Sequence, residues 1–192
     1  MVAQHGGAQF QPISTGCLTS LKAAIDYSMD GRTKEKKSKQ TQFWHARDNA
    51  IAALGKVLKH QSGCIDLATL VPFWLNLLPL THDMEEAKIQ SQFLAEALMK
   101  SPAFILGDQY ERLERVVMIF GEICCKKQSE PETLDMLSVI IANISQDANL
   151  AGQFKTLCES KLNEENRGRI LETYNKCSEE VRQRVQAHMA TL

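Results

Sequence analysis

Apolar residues along most of this chain return every three or four positions, and the segments carrying them recur at a fixed interval, which confines the chain to helical architectures. In 17–29 the pattern runs through Leu18, Leu21, Ala24, Ile25 and Met29, and in 47–61 through Ala50, Ile51, Leu54, Val57 and Leu58. A helix over 67–80 is predicted to start at Asp66 as its N-cap, to hold Pro72 in its first turns and to close near Pro79. The run 85–100 opens with two acids and is read as carrying Ile89, Phe93, Ala97 and Leu98 inward. Helices follow over 110–126 and 132–144, then shorter, more polar ones over 153–161, 164–176 and 179–189. No segment alternates in the manner of a strand.

Second-helix landmarks at Leu54, Leu98 and Ile141 lie about 43 residues apart, as do the first-helix landmarks Leu70 and Leu113. That period matches HEAT-type repeats, in which each helix pair buries its apolar face against the next. The expected fold is therefore all-α, an alpha-alpha superhelix of the HEAT-repeat solenoid type with about four helix pairs, a compact helical bundle being the competing arrangement. Residues 1–16, rich in Gly and Gln, read as a disordered leader to a longer protein's excised piece; 17–192 form the solenoid, ending in polar capping helices. Inside it, 30–41 holds Arg32, Lys34, Lys36, Lys37 and Lys39 with no apolar residue, and reads as a solvated basic loop or a localisation signal.

Twenty-two basic against 23 acidic side chains provide no net field for nucleic acid or an anionic membrane, so neither is expected as a direct partner. No apolar run reaches the length of a membrane span. The six cysteines form no CxxC pair, have no His at zinc-finger spacing, and read as reduced thiols, so no metal or other cofactor is expected. Phosphate-loop, dinucleotide, zincin and hydrolase-elbow motifs are absent, and the chain reads as a non-enzyme. The best nucleophile constellation would join Cys64 to His60 or His82, both placed at helix ends or turns where surface histidines are common. Trp44 and Trp74 are candidate interface anchors, Trp74 falling inside an apolar stripe that favours the core.

Over 47–108 the order of features is specific: Asp48-Asn49 opening a helix, Pro72 and Trp74 in the next, then Leu78-Pro79-Leu80, an acidic turn with Glu85-Glu86-Ala87, and a Leu106-Gly107 stop. This stretch resembles the last repeats of nuclear transport receptors of the importin beta-3 type, within the karyopherin family. The resemblance implies a receptor moving between cytoplasm and nucleus, binding cargo proteins with basic segments, and meeting Ran-GTP and nucleoporins through the full-length protein. The N-terminal repeats forming the family's main Ran-binding region have no counterpart in these residues. A HEAT-repeat scaffold subunit of a cytosolic complex is the alternative. In such solenoids second helices line the concave face, which makes Asp48, Asn49, Glu85, Glu86, Gln90 and Glu96 the candidate cargo contacts; the same acids also suit helix N-termini or plain solvation.

Overall fold

The computed structural model describes residues 2–29 and 37–191; the greater part of the expected basic loop, 30–36, lies outside the described residues. The chain divides into two compact units, 1–90 and 91–192. Both are all-helical, with helices stacked on close neighbours in sequence, the packing of an α–α helical repeat, and there is no strand among the described residues.

The first unit begins with a short helix α1 (Val2–His5), a 3-10 segment (Gly7–Ile13) and α2 (Ser14–Met29). The expected disordered leader is thus helical, and Phe10 within it is only 1% exposed. One buried aromatic anchors a stretch whose Gly and Gln content argues for disorder, and the Ser14 hydroxyl fastens it further by donating to the Gln11 carbonyl at 2.8 Å.

The central element is α3 (Lys37–His60), which packs against α1, α2 and α4 (Leu67–Leu77). It starts about ten residues before the apolar stripe, so Lys37–Thr41 are helix rather than loop. No Pro or Gly interrupts this stretch before Gly55, and its Lys and Gln residues are good helix formers. Phe43 meets Tyr27 of α2 edge-on at 6.2 Å, giving the extension a packing partner. The core gathers Ile51, Leu54, Leu58, Trp74, Leu75 and Leu80, each nearly fully buried.

Asp66 caps α4 as expected, its carboxylate accepting the Ala68 and Thr69 amides, and Pro72 falls in the second turn of the helix, within its first turns as expected. The turn after α4 leads into α5 (Met84–Lys100), whose first residues belong to this unit.

The second unit takes the rest of α5, then α6 (Pro102–Leu106), α7 (Leu113–Ile123), α8 (Pro131–Gln146), α9 (Ala151–Lys161), α10 (Glu164–Asn175) and α11 (Glu179–Met189). Pro102 does stop α5, and it also opens α6, a helix the sequence reading lacks. Gly107 ends α6 at φ 83°, and a Cβ there would lie 1.9 Å from a Glu111 carboxylate oxygen, so only glycine fits. Helix α8 is buried nearly all round, contacting α9, α10 and α11, as its run Met136, Leu137, Val139, Ile140 and Ile141 requires.

Candidate partner-contact surface

The residues nominated from sequence divide sharply by burial. Asp48 is 0% exposed. Because α3 starts at Lys37, Asp48 lies in mid-helix rather than at an exposed helix start. Its Oδ2 accepts three successive backbone N–H groups from the turn after α4: Thr81 at 3.2 Å, His82 at 2.8 Å and Asp83 at 3.0 Å. A carboxylate holding three amides fixes the course of the chain between two helices, since each bond is charge-assisted. It is not available to cargo.

Gln90 is also buried, at 2% exposure. Its Oε1 accepts the Trp74 indole N–H at 3.2 Å, and its amide donates to the Ala52 carbonyl at 3.5 Å, so it bridges α3, α4 and α5. Trp74 is thus core, with its polar edge satisfied. Glu96 is buried as well, its Oε1 accepting from the Gln92 side-chain amide at 2.8 Å. Glu86 is half-buried and paired with Lys56 at 2.7 Å, which cancels its charge locally. The expected set therefore reduces to Glu85, exposed at the start of α5, and Asn49, exposed on α3.

The apolar stripe of α5 keeps its expected inward residues Phe93 and Leu98 but departs from expectation in its first turns. Ile89 is 46% exposed, while Ala87, Gln90 and Leu94 face inward. Periodicity assigns polar residues outward by default, and Gln90 defeats it because its hydrogen bonds are made inside. Glu85 and Ile89 consequently share one exposed face, a carboxylate one turn from an aliphatic side chain.

A second exposed feature adjoins the Asp48 clamp. Trp44, 37% exposed, stacks on the His82 ring at 5.1 Å and 11°, with the Arg47 guanidinium 5.9 Å from its centroid. His82 Nδ1 lies 3.0 Å from the Thr81 hydroxyl, while His45 Nδ1 is 3.9 Å from Asp83. Trp44 was legible as an anchor, but its stacking partner was not, since nothing in sequence ties position 44 to position 82. Cys64 turns its thiol onto the Gln61 carbonyl at 3.3 Å.

In the second unit an apolar groove lies beside α8, lined by α9 and α10, with Leu171 and Tyr174 exposed along it. The sequence predicts polar caps here; the signal for the groove is Ile170, Leu171 and Tyr174 clustered on one side of an otherwise charged helix. Among the described residues no helix is long and apolar enough to cross a membrane, and no three His, Cys, Asp or Glu side chains group as metal ligands. No protein-family model matches the chain.

Proposed function

We propose that this chain forms the C-terminal repeats of a nuclear transport receptor of the importin-β family, moving between cytoplasm and nucleus and contributing to cargo binding. The observation that supports this reading is the clamp at Asp48. The residues by which 47–90 resembles the family's last repeats fit together as one repeat-like unit: Asp48 carries the turn that follows Leu78-Pro79-Leu80, and Trp74 is bonded to Gln90 just beyond Glu85-Glu86. The resemblance is thus one of mutually dependent parts. A helical repeat of this kind displays an extended surface and no enclosed catalytic centre, which suits a protein-binding role.

The cargo-contact set is reduced accordingly to Asn49, Glu85 and the neighbouring Ile89, with Glu86 a secondary member because Lys56 already engages it. A lysine-rich cargo segment would lay its aliphatic stems against Ile89 and its ammonium groups near Glu85. Ran-GTP and nucleoporins engage the whole receptor, and these 192 residues alone are expected to bind Ran-GTP weakly or not at all.

The test compares variants of the full-length receptor against a fluorescent lysine-rich peptide. Glu85→Lys with Asn49→Lys should weaken binding several-fold and flatten its dependence on salt, with the melting temperature unchanged. Unaltered affinity would remove cargo binding from this face. A full-length protein that ignores Ran-GTP and retains a stable cytosolic complex in a pull-down would make it a scaffold instead.

A further inference from the structure

Helices α9 and α10 each pack on α7 and α8, and the space left alongside α8 is an open groove of about 580 Å³ within the second unit. Ile141 of α8, Phe154 of α9 and Ile170 of α10 are buried apolar residues that line it. Along α9 the positions Gly152, Lys155 and Cys158 follow at helical spacing, and along α10 Arg167, Leu171 and Tyr174 do the same, so each helix turns one stripe toward the groove. Leu171 is 59% exposed and Tyr174 36%, large apolar surfaces that water covers poorly.

Three details make the groove selective. A Cβ built on Gly152 meets nothing within 4 Å, so a visiting backbone has room to approach α9 closely. Burial, with Glu159 beside it, pushes the Cys158 thiol up to about 11, which keeps that wall neutral. The only charged side chains lining the groove, Lys155 and Arg167, are both cations and both exposed. Arg167 Nη1 donates to the Glu159 carbonyl of α9 at 3.4 Å, so its guanidinium spans from α10 to α9. Lys155 projects from the second turn of α9. An apolar trough whose charges are all positive is complementary to an apolar stripe flanked by carboxylates.

We propose that this groove docks an acidic amphipathic segment of a partner protein, with aromatic or aliphatic anchors over Ile141 and Phe154 and carboxylates on Lys155 and Arg167. Helix α9 has 11 residues, which at about 1.5 Å per residue gives a seat roughly 16 Å long, enough for three turns of a visiting helix. Helix-in-groove recognition uses anchors at i, i+3 or i+4, and i+7, which that length accommodates.

The probe is a fluorescein-labelled peptide of about twelve residues with Leu and Phe at those anchor positions and Glu elsewhere. It is compared with the same peptide carrying Lys for Glu, and with an uncharged Phe-Gly peptide, by fluorescence polarisation on the 192-residue chain. The acidic peptide should bind, more weakly as salt rises, and the other two should bind at least about tenfold less tightly. Lys155→Glu with Arg167→Glu should invert the preference between the two charged peptides. Gly152→Leu should fill the groove and abolish binding while leaving the helical circular dichroism intact, since leucine suits a helix better than glycine. Absence of binding, equal binding of the lysine or Phe-Gly peptide, or affinity unchanged by Gly152→Leu would each overturn the proposal.

Discussion

Truncating Asp48 to alanine removes the acceptor of three backbone amides at once, and the cost follows from their surroundings. A hydrogen bond to a charged group contributes about 1.5–3 kcal/mol. Thr81 and His82 are exposed, so their released amides regain water and the lower end applies to them; Asp83 is half-buried. The expected loss is about 4.5–6 kcal/mol for the first unit, at or above the range of a large core truncation. Asp48→Asn keeps an oxygen in the same place but loses the charge assistance, and should cost about half as much. Both tryptophans, Trp44 and Trp74, lie in this unit, so intrinsic fluorescence during urea unfolding reports on it selectively. Hydrogen exchange supplies a local readout: the amides of residues 81–83 should lose protection in Asp48→Ala and retain most of it in Asp48→Asn. An Asp48→Ala variant within about 1 kcal/mol of the parent, or with those amides still protected, would refute the view that this carboxylate holds the turn.

Gly55→Ala should destabilise the first unit by about 1–2 kcal/mol despite alanine's better helix propensity, because its Cβ would fall 1.9 Å from Gln90 Oε1 and break the Trp74 bond. Adding Gln90→Ala should shrink that penalty, and a stabilised Gly55→Ala single variant would show that Gln90 is not held in place. The Thr69 hydroxyl and amide, with the Ala68 amide, hold the Asp66 carboxyl below its ordinary value of 3.8. Its capping contribution is therefore complete above pH 3.8 and fades as pH falls through the lower folded value, so Asp66→Ala should differ from the parent in urea unfolding near neutrality and converge with it in acid. Burial pushes the Cys124 thiol up to about 12, and burial with Glu159 puts Cys158 at about 11, both above the ordinary 9.0. Alkylation of each at pH 8, followed by mass spectrometry, should be at least about a hundredfold slower in the native chain than in denaturant; comparable rates would contradict the packing around them.

The helical class and most element positions were legible because leucine, isoleucine and alanine keep their period over long stretches. Helix α11 begins and ends at Glu179 and Met189 as read, and α9, α10 and α8 differ from expectation by a residue or two. What escaped was polar burial. Asp48, Gln90 and Glu96 look like surface residues to any pattern that sorts by hydrophobicity, and they are buried because a carboxylate or amide that finds donors in the fold no longer needs water. The same blindness puts Ile89, an exposed aliphatic residue, inside a core stripe whose members Phe93 and Leu98 are buried. The start of α3 escapes for the opposite reason: 37–46 carries few apolar residues, so its helicity shows in the propensity of Lys and Gln and in tertiary contacts such as those of Phe43 and Trp44, not in periodicity. In 1–16 a single residue, Phe10, outweighed a composition that reads as unstructured.

The turn after α4 is gripped by its amides, and amides are the one part of a residue that substitution leaves alone. Thr81 and His82 bond Asp48 through backbone N–H, with the His82 ring nitrogen 3.9 Å from the same carboxylate oxygen, so any residue other than proline could keep the amide grip at either position. Fold and surface chemistry are uncoupled there: the scaffold specifies where two adjacent side chains stand without specifying what they are. The patch built on Trp44 and His82 is thus rewritable, a socket whose fitting can be exchanged while the wall that holds it stays as it is.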